Sequence, residues 1–174
     1  MRTIKPLLAL TILLLGSISC KKDTKYVEDP VISTFYFIRH AEKDRSDPGN
    51  PDPELSQEGL NRALRWAEIF DPIAIDVIYS TNYERTSMTA APSSVKKQID
   101  IKYYDPPSLD IDGFKTENEG KNVLVVGHSN TIPTFVNQML GFEKYDNMED
   151  TDNGSLFIVR IIDGVPTDLR LNMD

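Results

Sequence analysis

The chain has 174 residues, of which 40% are hydrophobic and 26% charged, with a net charge of −8, two histidines and one cysteine. These proportions suit one globular domain large enough to bury a core, and they exclude a fibrous or repetitive array. The acidic balance argues against nucleic acid as a partner and leaves any anionic substrate dependent on local cations.

The first twenty residues stand apart. Arg2 and Lys5 precede an almost wholly apolar run, Pro6–Leu15 (PLLALTILLL), then small and polar residues, then Cys20. This charged, apolar, small-residue order predicts a secretory signal over 1–20, and the apolar run is short for a membrane span. A lone cysteine cannot close an internal disulfide. Its position resembles a bacterial lipobox, although Ser17 stands where a larger aliphatic residue is usual. The expectation is an exported, periplasmic lipoprotein whose only membrane contact is a lipid anchor on Cys20. Without residues 1–20, 17 basic residues face 27 acidic ones, a net charge near −10. Residues 21–32 read as a charged tether and 33–174 as the domain.

Val31–Ile38 (VISTFYFI) is rich in β-branched and aromatic residues and reads as a buried strand ending at Arg39-His40. Asp44–Pro53 (DRSDPGNPDP) reads as a loop. Ser56 is a candidate N-cap for a helix whose apolar face is predicted at Leu60, Ala63, Leu64 and Ala67, closed by Asp71-Pro72. Ile75–Tyr79 reads as a strand, and Tyr83–Val95 as a helix with Met88 and Ala91 turned inward. Ile99–Tyr104 reads as an edge strand, and Pro106–Gly120 as an ambiguous stretch with room for a short helix. Asn122–Val126 is a strongly apolar strand running into Gly127-His128-Ser129, and Asn130–Leu140 is a helix closed by Gly141. Ser155–Ile162 and Thr167–Asn172 are strands joined by an Asp163-Gly164 turn. The alternation predicts an α/β three-layer sandwich, its mostly parallel central sheet flanked by helices.

Ligands in such sheets bind beyond the carboxyl ends of the strands, where both histidines fall. Arg39 supplies a permanent cation beside His40, and a neutral imidazole can attack phosphorus. Arg85 stands at the start of a helix, a place that favours anions. His40, His128, Arg39 and Arg85 are therefore the candidate catalytic residues, with Arg39 and Arg85 placed to bind a phosphoryl group. No metal-ligand cluster or Gly-rich nucleotide loop is visible, so neither metal nor cofactor is expected.

Four strings, FYFIRHAEK (35–43), LSQEG (55–59), STNYERTSMTA (80–90) and VLVVGHSNTI (123–132), occur in this order. Together they resemble the histidine phosphatase superfamily, also called phosphoglycerate mutase-like, over about residues 33–162. The Ala41-Glu42-Lys43 that follows His40 resembles a smaller Arg-His-Ala-Glu-Lys subgroup. The resemblance implies that His40 is phosphorylated, that Arg39 and Arg85 bind the phosphoryl group and that His128 supports the transition state. Ser129 stands where one branch carries an aspartate proton donor. The candidates for that role are Asp105, Asp110, Asp112 and Glu42, with Glu117 behind them. The short stretch between Arg85 and His128 leaves little room for a capping insertion, so a shallow, open pocket is expected. The implied activity is metal-independent hydrolysis of a phosphomonoester or phosphoramidate, small or protein-borne. The alternatives are a non-catalytic phosphate- or phosphopeptide-binding lipoprotein, and a phosphoglycerate mutase.

Overall fold

The computed structural model describes residues 29–174. The expected signal over 1–20, Cys20 and most of the expected tether lie outside the described residues. One six-stranded sheet organises the domain, in the order β3-β2-β4-β1-β5-β6. Its strands are β1 (Ile32–Arg39), β2 (Val77–Ser80), β3 (Ile101–Tyr103), β4 (Asn122–Gly127), β5 (Ser155–Ile162) and β6 (Val165–Asn172). Strands β3, β2, β4 and β1 run parallel, and β5 and β6 add an antiparallel edge. The sheet is mostly parallel, as the alternation of elements predicted.

Four helices cover it: α1 (Gln57–Ile69), α2 (Glu84–Lys97), α3 (Ile111–Glu117) and α4 (Thr131–Leu140). Side chains alternate between the two faces of the strands. Phe35, Phe37, Val123, Val125 and Phe157 pack with Phe114 of α3 and Phe135 and Met139 of α4. Ile38, Ile78, Leu124, Val126 and Leu156 pack on the opposite face with Trp66 of α1, Phe70 just beyond it and Ala90 of α2. The chain therefore leaves β1 over one face and β4 over the other. Such a reversal opens a crevice at the carboxyl ends of the two strands.

The predicted helix caps are present. The Ser56 hydroxyl accepts from the Gly59 N–H, and Gly141 ends α4 at φ +82°. Asp163 and Gly164, both at positive φ, form the tight β5–β6 turn.

The predicted inner face of α1 is corrected. Leu60 and Leu64 are 37% and 55% exposed, whereas Gly59, Ala63, Trp66 and Ala67 are buried. Trp66 decides the rotation: it stacks on Phe70, with ring centroids 5.8 Å apart, and burying two large aromatics is worth more than burying two leucines. Met88 and Ala91 of α2 are likewise only partly buried, and Thr86, Thr89, Ala90 and Ser93 take the inner positions. Among the described residues no helix is long and apolar enough to cross a membrane.

Candidate active site

Register brings the two histidines together. In the β1–β4 pair, Arg39 lies opposite Gly127, so the next residues, His40 and His128, leave adjacent strand ends side by side. Their rings stand 5.5 Å apart between centroids. The His40 backbone N–H also donates to the Gly127 carbonyl at 2.9 Å, extending the pairing by one residue. Gly127 is required here because an added Cβ would lie 2.8 Å from both the Tyr104 hydroxyl and Ile132.

His40 is 4% exposed. Its Nδ1 lies 2.7 Å from the Ala41 carbonyl oxygen. A carbonyl only accepts, so Nδ1 carries the proton and Nε2 keeps its lone pair. Burial pushes the imidazole pKa down to about 3; the Ala41 bond opposes the shift, and the positive charges of Arg39, His128 and Arg85 add to it. His40 is thus neutral at pH 7, with its proton on Nδ1 and a lone pair on Nε2.

His128 is the complement. Arg85 Nη2 lies 3.4 Å from its Nδ1. Because guanidinium only donates, the proton sits on Nε2, which donates to Thr81 Oγ1 at 2.9 Å. Burial lowers its pKa to about 4, with Arg85 and Arg39 acting in the same direction and Asp52 opposing.

The pH dependence follows directly. Both folded-state values lie below that of a free imidazole, so lowering the pH from 7 through 6.5 leaves both rings unprotonated. The kcat/KM for an aryl phosphate, which reports the free enzyme, is expected to hold across that interval and to fall only toward pH 4. A half-loss centred near 6.5 in a kcat/KM–pH profile would contradict this.

Each arginine is held by a different loop. Arg39, 2% exposed, donates from Nη1 to the carbonyls of Glu149 and Asp152 and from Nη2 to Asp150. Arg85 pairs with Asp52 at 3.1 Å, and its guanidinium lies over the Tyr83 ring, 4.4 Å from the centroid. The Nε atoms of both arginines are buried without a partner. Two unsatisfied cationic donors beside an imidazole pair form a preorganised anion site.

Several of these supports were not singled out in the sequence. Asp52 accepts from both Arg85 and the Glu84 N–H, fixing the start of α2. Thr89 accepts from the Ala41 N–H, and Asn153 donates to the His40 carbonyl. Asp150 and Asn153 belong to a run of acidic and amide residues after Asn147 whose spacing carries no period. Its composition alone would mark only a loop. The LSQEG string does have a structural reason: the Ser56 N–H donates to the Glu42 carbonyl, and a Cβ at position 59 would collide with that same carbonyl.

Each histidine lines a cavity of its own. The larger, about 780 Å³, is a cleft that includes Arg85, His128, Tyr83, Asp105 and the exposed side of α4 in its walls. The smaller, about 300 Å³, is lined by Arg39, His40 and Glu42 among others. The short stretch before β4 contributes a 3-10 turn at Pro106–Ser108 and Leu109 to the lining of the larger cleft.

The proton-donor candidates separate. Asp105 lines the cleft beside His128, and Glu42 lines the cavity beside His40, paired with Arg62. Asp110 and Glu117 line another depression, which Asp105 also borders, and the Asp105 carboxylate accepts from the Ser108 hydroxyl at 2.9 Å. Asp112 is exposed, and Lys115 is its partner. Among the described residues no group of three or more His, Cys, Asp or Glu side chains is placed to hold a metal ion.

The model of the histidine phosphatase superfamily (branch 1) matches residues 35–105, the stretch that carries Arg39, His40 and Arg85. Over that stretch the chain is similar to the histidine phosphatase superfamily. Solved structures share the fold across the rest of the domain. The protein histidine phosphatase SixA, complexed with tungstate, superposes with a TM-score of 0.63 at 12% identity over 80% of this chain and 96% of that one. A phosphoserine phosphatase variant from Entamoeba histolytica in complex with phosphoserine gives 0.59 at 17% identity, over 80% and 96%. A mycobacterial glucosyl-3-phosphoglycerate phosphatase gives 0.57 at 13% identity, over 74% and 90%. No match to a curated protein was found.

Proposed function

We propose that this protein is a metal-independent phosphatase that works through a phosphohistidine on His40. The observation that carries this reading is the His40 tautomer: Nδ1 is tied to the Ala41 carbonyl, and Nε2 is free beside two arginines with unpartnered Nε–H groups. The Nε2 lone pair attacks phosphorus, and the P–O bond to the leaving group breaks with its electrons moving to that oxygen. Arg39 and Arg85 stabilise the charge on the phosphoryl oxygens, and His128 joins them when its Nε2–H exchanges Thr81 Oγ1 for a phosphoryl oxygen. Water then attacks phosphorus, the P–N bond breaks, and its electron pair returns to Nε2.

In-line displacement places the leaving oxygen on the side of phosphorus away from His40. His40 does not line the larger cleft, whereas His128 and Arg85 do, which supports that cleft as the leaving-group side. Asp105 is the carboxylate in its walls, and we assign it the proton transfer: to the leaving oxygen first, then from the attacking water. Asp105→Asn is expected to slow alkyl phosphates by on the order of 10²-fold or more while affecting p-nitrophenyl phosphate far less, because an aryl oxide needs little protonation. An equal loss on both substrates would remove Asp105 from this role.

The test of the activity is release of phosphate from p-nitrophenyl phosphate by chelator-treated protein, with mass spectrometry of the His40 peptide for one added phosphoryl group during turnover. Binding of vanadate with no turnover of any substrate would favour a phosphate-binding role instead. The Met1–Cys20 pattern supports an exported placement with a lipid on Cys20. Mass spectrometry of protein from its native membrane is expected to show a diacylglyceryl modification there, and an unmodified chain beginning at Met1 would refute it.

A further inference from the structure

The walls of the larger cleft carry information about the leaving group beyond the reaction itself. Asn130, Thr134 and Gln138 sit at i, i+4 and i+8 on α4 and its N-cap, so they form one exposed polar stripe. Asn147 extends that neutral polar surface, and all four line the cleft. At 1.5 Å per residue, the stripe runs about 12 Å away from His128. The cleft also has apolar lining: Pro106, Pro107 and Leu109. Arg85 is the cation among the lining residues, already committed to the phosphoryl group, and Asp105 is the anion.

We propose that this cleft takes a monophosphate whose leaving group is uncharged and rich in hydroxyls, a sugar or polyol, laid along α4. The inference rests on the phosphatase reading and names the substrate class for that site.

The chemistry of the walls supports it. An amide side chain both donates and accepts, as a hydroxyl does, so Asn130, Gln138 and Asn147 can serve hydroxyls in either sense. Thr134 donates to the Asn130 carbonyl, which leaves its oxygen to accept. The proline and leucine wall suits the C–H edges of a sugar ring. A second phosphate on the substrate would find Asp105 and a chain of net charge −8, with no cation left to receive it. A peptide body would need backbone partners, as in strand addition. A helix presents side chains to the cleft and offers no ladder to extend. The cavity of about 780 Å³ falls within the roughly 300–1,000 Å³ of small-molecule sites.

The experiment is steady-state kinetics of the wild-type protein on p-nitrophenyl phosphate, a hexose 6-phosphate, the matching hexose 1,6-bisphosphate and a phosphoserine peptide, repeated with Gln138→Lys. The hexose monophosphate is expected to exceed the bisphosphate and the peptide in kcat/KM by about tenfold or more. In Gln138→Lys the ratio of bisphosphate to monophosphate is expected to rise by about fivefold, because the new ammonium faces the distal phosphate. A ratio within one protein is insensitive to partial loss of folded enzyme. Turnover of p-nitrophenyl phosphate with preference for the bisphosphate or the peptide overturns the inference and leaves the phosphatase reading standing. So does an unchanged ratio in Gln138→Lys. Failure to hydrolyse any of the four overturns both.

Discussion

His40→Ala is expected to lower phosphate release from p-nitrophenyl phosphate by on the order of 10⁴-fold or more, to the limit of detection. The size of the loss follows from covalent catalysis. With no nitrogen in place, the two-step route through a phosphoenzyme is closed, and the remaining cage can only assist direct attack by water. The fold should survive. The substitution removes one side chain and leaves the Ala41 carbonyl without its Nδ1–H partner, a cost of about 1–3 kcal/mol for one unmet buried acceptor. Circular dichroism and retained vanadate binding would separate lost chemistry from lost structure. Folded protein that still turns over at a wild-type rate would refute the nucleophile assignment.

Arg85→Ala is expected to cost on the order of 10²–10³-fold in kcat/KM, the range seen when one preorganised donor to a developing anion is removed. Three contacts make this arginine hard to replace. Asp52 fixes one end of its fork, the Tyr83 ring lies against its plane, and Nη2 sets the His128 tautomer. Removing it therefore takes away a charge and lets the His128 ring choose the other tautomer. Arg85→Lys should recover little, because a single ammonium cannot satisfy Asp52, His128 and a phosphoryl oxygen together. Recovery to within about threefold of wild type would mean that only the charge matters.

Most of the fold was legible because its signals are local. Strands rich in Val, Ile and Phe, the Ser56 cap, Gly141 and the Asp163-Gly164 turn each act over a few residues, and each stands where the sequence suggested. The rotation of α1 was not legible, because Leu60 and Leu64 satisfy a helical period as well as Ala63 and Ala67 do. Only packing against Phe70 shows that Trp66 faces inward. At the site, the histidines and arginines are recognisable by residue type. Their holders are not: Asp52, Thr89, Asp150 and Asn153 are ordinary loop and helix residues until the chain folds back on itself. The tautomer of His40 is set by a backbone carbonyl, which no side-chain pattern encodes. Asp105 and Asp110, alike in sequence on either side of Pro106-Pro107, part across the 3-10 turn: both line one depression, and of the two only Asp105 also lines the cleft with His128.

The pairing of Arg39 with Gly127 has a consequence for how this protein can change. Side chains alternate with period two along a strand, so slipping β4 by one residue would turn Val123 and Val125 out of one core layer and Leu124 and Val126 out of the other. The spacing of the two histidines is thus guarded by the packing of both sides of the sheet, far more energy than any contact inside the site supplies. The residues proposed to meet the leaving group have no such guard: Asn130, Thr134, Gln138 and Asn147 are exposed and contribute little to either layer. Point changes there can exchange one preference for another at little cost in stability. The reacting centre is inherited with the fold, and the choice of substrate is written on its surface.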